Sequence, residues 1–512
     1  MSLSEQQPLK DDPSPQLCVL VTIPRSGSSL LLRSFAQNAA CEVTSQLILK
    51  GNQDLRSPFK PDLGVSGGLQ LDKVCMEALE RKCGTLITME ELGHEGRNGE
   101  CDFDTLSRTA PQASAKSAFL FRDPLRVYDS WKSLGWDHMS SFLTAYRNLA
   151  RMWHESREST SCIYEELVRN QQLVLERLCQ HCNLDFTDQM LVLNRPMENF
   201  LFLSERERRI CTTESPTGIF DTAKSHDKIM PGIKSHQLLT KSEMEVIDGQ
   251  LAPLYLDACG NSAHELSVAL HAHSWFGFDL DDTLHEFRKA SKAAAAEVFT
   301  YISRHSEIPT NELADSYSEI LSQKTASAFT DGRTSDDYRK ERFGALLEKH
   351  GLDADEDRLI LLAALYKDAL ASALETKAGA LTLLPYLRSI GKKIVIVTEG
   401  PQDAQEWTIK RLGLSEHLDE LVTTNRFGKA KTEGLFGRVL DALGIEGGDM
   451  VYIGDNYARD IVPARERGIT TIHLSEAENV VLSQQGTRVN SLLKIENILR
   501  MREREAKGCV AD

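Results

Sequence analysis

Apolar residues along the chain fall into short, β-rich runs, each followed by a segment whose apolar positions recur at helical spacing. The runs are LCVLVTI (Leu17 to Ile23), TLITM (from Thr85), AFLFR (ending at Arg122), SWFGFDL (Ser274 to Leu280), IVIVT (Ile394 to Thr398), MVYIGD (Met450 to Asp455) and TTIHL (Thr470 to Leu474). Alternation of this kind predicts an α/β fold, here as two doubly wound parallel-sheet domains. The first spans 16–262 and the second 274–506, with a linker over 263–273 after the helix-stopping Cys259-Gly260-Asn261-Ser262. Between Thr283 and Lys393 the pattern is almost entirely helical, with clusters such as LILLAALYKDALASAL, and predicts an insertion over about 285–390. The first fifteen residues, rich in Pro, Ser and Asp, read as a mobile tail.

Composition narrows the class. A length of 512 residues calls for more than one core, and 41% hydrophobic with 26% charged residues is the balance of a globular protein. A net charge of −16 excludes a nonspecific nucleic-acid binder, which needs a basic face, but leaves room for local sites that take one phosphate ester. The N-terminus lacks a basic region followed by an apolar stretch, and no apolar run reaches the roughly 18 residues of a membrane helix, so the expected location is cytoplasmic, with no membrane partner. Eleven scattered cysteines suit reduced thiols. The metal-like spacing of Cys179 and Cys182 has no second ligand pair and falls in a helical pattern.

The second domain carries the stronger chemistry. Asp279-Leu280-Asp281-Asp282-Thr283 follows an apolar strand, so its carboxylates fall at the sheet edge where open α/β sheets bind ligands. Two carboxylates two residues apart can divide labour: Asp279 attacks phosphorus, and Asp281 protonates the leaving oxygen and then activates water. Such crowded anions need a cation with a preference for oxygen, and Mg²⁺ fits. Thr398 ends a second run and can donate to a phosphoryl oxygen. Gly428-Lys429-Ala430-Lys431-Thr432 offers two lysines ahead of a helix, of which Lys431 is favoured. Gly454-Asp455 to Asp460 adds a metal carboxylate, Asp455, and an acid, Asp460, able to orient the lysine.

In that order these segments resemble the four motifs of haloacid dehalogenase-type hydrolases. The resemblance implies a nucleophile at Asp279, a general acid/base at Asp281, and magnesium held by Asp279, the backbone carbonyl of Asp281, and Asp455. It also implies that the helical insertion is a cap of subclass I. An acid at position 281 has no use in dehalogenation, where no alkoxide leaves, so the implied activity is that of a phosphatase.

In the first domain, the opening strand runs into Pro24-Arg25-Ser26-Gly27-Ser28-Ser29 and a helix, a turn that presents backbone N–H groups and an arginine to an anion. The Gly-x4-Gly-Lys-Ser/Thr pattern of a nucleoside triphosphatase is absent. A second strand ends at Arg122, Asp123-Pro124 starts a helix, and Ser130 lies two turns in. Together with Ile163-Tyr164-Glu165-Glu166-Leu167, these segments resemble PAPS-dependent sulfotransferases. The resemblance implies that Arg25 to Ser29 hold a 5′-phosphosulfate and that Arg122 with Ser130 hold a 3′-phosphate. Arg25 stands where the cytosolic enzymes have lysine, and Leu30 where an adenine-stacking tryptophan is common. Ser204 to Phe220 is a candidate for further phosphate contacts. Glu90, Glu91 and His94 are the candidate general bases, with His94 leading because its ordinary pKa lies near neutrality.

The expected protein is therefore a bifunctional enzyme, combining sulfonate transfer from PAPS to a small acceptor with magnesium-dependent hydrolysis of a small phosphate ester. The alternative is a phosphatase whose first domain only binds a nucleotide or phosphate ligand.

Overall fold

A computed structural model describes residues 16–48, 85–93, 103, 106, 116–156, 158–192, 200, 238–324, 329–484 and 486–508. The chain divides into two units, Met1–Leu239 with Gln250–Gly260, and Thr240–Gly249 with Asn261–Asp512. His94, the Ser204 to Phe220 segment and the first fifteen residues lie outside the described residues.

The first unit is built on five described strands, β1 (Gln16–Thr22), β2 (Cys41–Ser45), β3 (Thr85–Glu91), β4 (Lys116–Phe121) and β5 (Ser159–Ile163). All pair in parallel, in the order β2-β3-β1-β4-β5. Central β1 is buried from Leu17 through Thr22 without alternation, the pattern of an interior strand in a parallel sheet. After β1 the chain moves to one side of the sheet and after β4 to the other. The crevice beyond these two neighbouring strand ends is thus the topological switch point, where such sheets take ligands. Buried aromatic donors fix the loops that border it. Trp131 Nε1 donates to Pro24 O at 2.9 Å, and Tyr146 Oη to Arg122 O at 2.8 Å. Helix Pro124–Ser133 begins as its Asp-Pro pair predicts, with the Asp123 carboxylate accepting from Arg126 N at 3.2 Å. Cys179 and Cys182 are buried in the apolar core of this unit, where burial pushes the Cys179 thiol up to about 12.

The second unit holds six described strands, β6 (Trp275–Phe278), β7 (Lys393–Thr398), β8 (Glu420–Thr423), β9 (Met450–Gly454), β10 (Thr470–Leu474) and β11 (Thr487–Val489). They are parallel, in the order β11-β10-β9-β6-β7-β8. The chain leaves β6 toward β7 and leaves β9 toward β10, in opposite directions. The switch point of this sheet therefore lies between the ends of β6 and β9, which carry the two aspartate motifs. Gly277 allows the close packing there, since a Cβ on it would stand 2.8 Å from the buried ring of Tyr452.

Between β6 and β7 lie helices Phe287–Ser306, Thr310–Lys324, Ser335–Lys349 and Glu356–Ala373. They form a separate apolar core around Ala294, Val298, Phe343, Leu346, Leu362 and Tyr366. The chain passes to and from this cap by two adjacent strands, held by Glu286 N to Glu375 O and Lys377 N to Leu284 O, each 2.9 Å. The Lys377 ammonium ties them further, donating to Glu286 at 3.0 Å and to Glu476, after β10, at 2.8 Å. Two boundaries differ from the sequence reading. Helix Ala380–Ser389, expected within the insertion, packs on β7 and on helix Leu492–Gly508. Residues 263–273, expected as linker, fall in and just after helix Asn261–Ala272, whose Leu266 and Leu270 are buried. Both departures have one cause: amphipathic spacing marks a helix but not the layer it covers.

Candidate active site

Asp279 leaves the end of β6 with its backbone N–H donating to Ile453 O at 2.9 Å, so the β6–β9 ladder sets the carboxylate's position. Lys431, rather than Lys429, reaches it. The buried Lys431 ammonium donates to Asp279 Oδ1 at 2.5 Å and to Asp460 Oδ1 at 2.6 Å. Burial works against a charged lysine, but the Asp279 and Asp460 carboxylates outweigh it and hold Lys431 protonated, above the ordinary lysine range. Burial also pushes the Asp279 carboxyl up, against the pull of Lys431.

Asp460 is fixed on every side. Asn456 N donates to its Oδ2 at 3.0 Å and Tyr452 Oη to its Oδ1 at 3.3 Å. A Cβ at Gly454 would stand 2.5 Å from the Asp460 carboxyl carbon, so β9 must end in glycine for this acid to fold back. Glu399, directly after Thr398, accepts from Lys431 N at 3.1 Å and pairs with Arg459. Thr398 is buried at the end of β7, with its hydroxyl donating to Gln405 Oε1 at 3.3 Å.

Thr283 joins the two aspartate strands, since its hydroxyl donates to Asp279 Oδ2 at 3.3 Å and accepts from Asp455 N at 3.1 Å. Asp455 faces the cap, where Arg288 donates to it at 3.1 Å and pairs with Asp282 at 3.2 Å. Asp281 accepts from His285 Nε2 at 2.9 Å. Oxygens of Asp279, Asp455 and Asp460 lie within 4.8 Å of one another. Asp460 is held by Lys431, Tyr452 and Asn456, whereas Asp279 is held by Lys431 and Thr283 and Asp455 by Arg288 from the cap, so Asp279 and Asp455 are the less tightly bound pair that would turn to a cation. A cluster of hard oxygen donors whose charge Lys431 and Arg288 only partly balance fits Mg²⁺. Glu399, Tyr452, His285 and Arg288 escaped the sequence reading because their roles depend on contacts across the sheet or on the cap.

In the first unit the structure brings Arg25, Arg122 and Ser130 together at the switch point. Arg25 adopts a φ of 74°, its Nε donates to Ser130 Oγ at 3.0 Å, and Arg122 donates to Arg25 O at 2.8 Å. Partial burial and the charge of Arg122 lower the Arg25 guanidinium from its usual value, against the pull of Glu91. Gly27 has a φ of 98°, and any Cβ there would run into the Tyr164 ring, over which Arg122 lies at 4.3 Å. Ser26 is buried, Ser29 half-buried, and Ser28 donates to Glu91 Oε1 at 2.5 Å. Glu90 is wholly buried and accepts from Ile48 N and Thr88 Oγ1, so it braces the sheet.

Residues 274–468 match the family described as haloacid dehalogenase-like hydrolase. This segment is similar to the hydrolases of that family. The chain is 27% identical over 199 residues to glyceraldehyde 3-phosphate phosphatase of Methanocaldococcus jannaschii, across 38% of this chain and 82% of that protein. It is 25% identical over 217 residues to ribulose-1,5-bisphosphate 5-phosphatase of Halopiger xanaduensis, across 41% and 88%. Among solved structures, the magnesium-bound putative hydrolase YfnB of Bacillus subtilis aligns at 23% identity and a TM-score of 0.37, covering 45% of this chain and 99% of that one. The family match lies wholly within the second unit and says nothing of Arg25, Arg122 or Ser130. Among the described residues, no helix is long and apolar enough to cross a membrane.

Beside the arginine cluster, Glu165 accepts from Asp123 N at 3.2 Å and from Tyr255 Oη at 3.1 Å. Burial, and then the Asp123 charge, push its carboxyl up to about 7 from 4.5. The folded protein therefore binds this proton more tightly than the unfolded chain. The stability it contributes is complete below about pH 4.5 and is lost as pH rises through about 7, a change of roughly 3 kcal/mol. Thermal melts of Glu165→Gln should show a smaller fall in Tm than the wild type between pH 5 and pH 8, and a higher Tm at pH 8. Parallel pH profiles for the two proteins would show that Glu165 is ionised throughout.

Proposed function

We propose that the second unit hydrolyses small phosphate monoesters by way of a phosphoryl group carried on Asp279. The observation that carries this reading is the Lys431 ammonium clamped between Asp279 and Asp460 at the sheet's switch point. A carboxylate so placed presents one oxygen to an incoming phosphorus, while the lysine offsets charge on the phosphoryl oxygens. Thr398, at the neighbouring strand end, would turn its hydroxyl from Gln405 to donate to one of those oxygens. Asp281 supplies the proton that the departing alkoxide needs, then takes one from the attacking water. Asp279, the backbone carbonyl of Asp281, and Asp455 would hold magnesium, which when bound draws negative charge off the phosphoryl group. The relatives named above act on phosphorylated three- and five-carbon sugars, and we take small phosphorylated carbohydrates as the substrate class. With such esters and magnesium, Asp279→Asn should lower phosphate release by about 10³-fold or more while leaving the melting curve of the protein in place. Retention of a tenth of the wild-type rate would remove Asp279 from the chemistry.

For the first unit we propose a binding module for a phosphorylated ligand, seated on Arg25, Arg122 and the Ser26 to Ser29 turn. Sulfonate transfer from PAPS, with His94 or Glu91 as base, is the second reading, and the approach of Ser130 to the arginine pair favours it. Isothermal titration with PAPS and with adenosine 3′,5′-bisphosphate tests both. Binding of the bisphosphate, weakened about tenfold or more by Arg122→Ala, is expected if the arginines hold phosphate. Equal affinity in the wild type, Arg25→Ala and Arg122→Ala would remove this site.

A further inference from the structure

His285 lies on the first of the two strands that lead from the sheet into the cap. Backbone bridges join it to Asp281 on one side and to Thr376 of the return strand on the other. Its side chain is buried, with the ring packed edge-on against Phe287, and Nε2 lies 2.9 Å from Asp281 Oδ1. Nδ1 is also buried and has no hydrogen-bond partner among the described residues. The imidazole thus directs its one side-chain hydrogen bond at Asp281 and leaves its other nitrogen unsatisfied. Asp281 is about a quarter exposed, at the open end of the site, and no other side-chain hydrogen bond to its carboxylate is seen among the described residues. An apolar side chain in place of His285 would fill the same pocket without burying an unpaired nitrogen. What it would lack is the bond to Asp281.

We infer that His285 is a positioning residue, which holds the Asp281 carboxyl toward the ester oxygen and links that orientation to the hinge of the cap. The inference rests on the reading of Asp279 and Asp281 proposed above. In the first half-reaction, the bond from an Asp279 oxygen to phosphorus forms as the bond from phosphorus to the alcohol oxygen breaks. The Asp281 proton passes to that oxygen, and the carboxylate left behind keeps the Nε2–H bond from His285. In the second half, Asp281 takes a proton from water as the water oxygen bonds to phosphorus and the bond to Asp279 breaks. Both acid and base work require the same carboxyl to stay aimed. Its anchor lies on the strand entering the cap and is bridged to Thr376 on the strand returning from it, so the aim follows the hinge.

The test separates positioning from general structural support by using two esters that differ in their need for an acid. A benzyl alkoxide must be protonated as it leaves, whereas p-nitrophenolate leaves unaided. kcat/KM reports the steps up to departure of the alcohol, so hydrolysis of the phosphoryl enzyme does not obscure the comparison. With the full chain and magnesium, His285→Leu should lower kcat/KM for benzyl phosphate by about 10²-fold while changing that for p-nitrophenyl phosphate little. His285→Gln, whose side-chain N–H can donate the same bond, should recover much of the loss on benzyl phosphate. An equal fall with both esters in a folded variant, or a Gln variant no better than Leu, overturns the inference and leaves the phosphatase reading standing. Failure of the wild type to hydrolyse either ester overturns both.

Discussion

The second unit is organised around one buried ammonium held between two carboxylates. Removing Lys431, Asp279 and Asp460 from water costs several kcal/mol per ion, and close contact with good hydrogen-bond geometry is what offsets it. The surrounding structure supplies that geometry. Gly454 lets Asp460 fold back under the strand end, Tyr452 and Asn456 hold its oxygens, and Glu399 holds the backbone of Lys431. The single Tyr452 hydroxyl proton is shared between Asp460 and Val397 O, the latter 2.8 Å away, and the ring needs the bare backbone of Gly277 beside it. Strand packing and site electrostatics are therefore parts of one arrangement.

Both sheets put their polar residues at the same topological place, beyond two neighbouring strand ends from which the chain departs in opposite directions. The chemistry there is opposite in sign. The second sheet gathers the carboxylates of Asp279, Asp455 and Asp460, while the first gathers the guanidinium groups of Arg25 and Arg122. In each case one side chain ties the two strand ends together: Thr283 between β6 and β9, and Arg122 to the loop after β1.

Much of this could be read from the sequence where the pattern is local. Continuous apolar runs mark strands buried on both faces, and the aspartates that follow them must fall at the sheet edge. The order of strands is not local, and neither are the partners of Lys431. The sequence favours Lys431 over Lys429, and the fold shows the Lys431 ammonium facing Asp279. His285 looks like an ordinary residue after a motif until the return strand at Thr376 and the carboxylate of Asp281 close around it. Helix Ala380–Ser389 has the same amphipathic pattern as the cap helices, yet it covers β7, because periodicity does not say which surface will bury it. In the first unit, Arg25, Arg122 and Ser130 are 97 and 8 residues apart in the chain, and the parallel sheet makes them neighbours.

The central claim is that phosphorus passes through a bond to Asp279. The direct measurement is to mix the full-length protein briefly with magnesium and p-nitrophenyl phosphate, quench it in acid, reduce it with borohydride, and sequence the peptides by mass spectrometry. Reduction of an aspartyl phosphate converts that aspartate to homoserine. The account predicts homoserine at position 279, absent without substrate. Steady hydrolysis with residue 279 still aspartate, or with the reduced residue elsewhere, would contradict it.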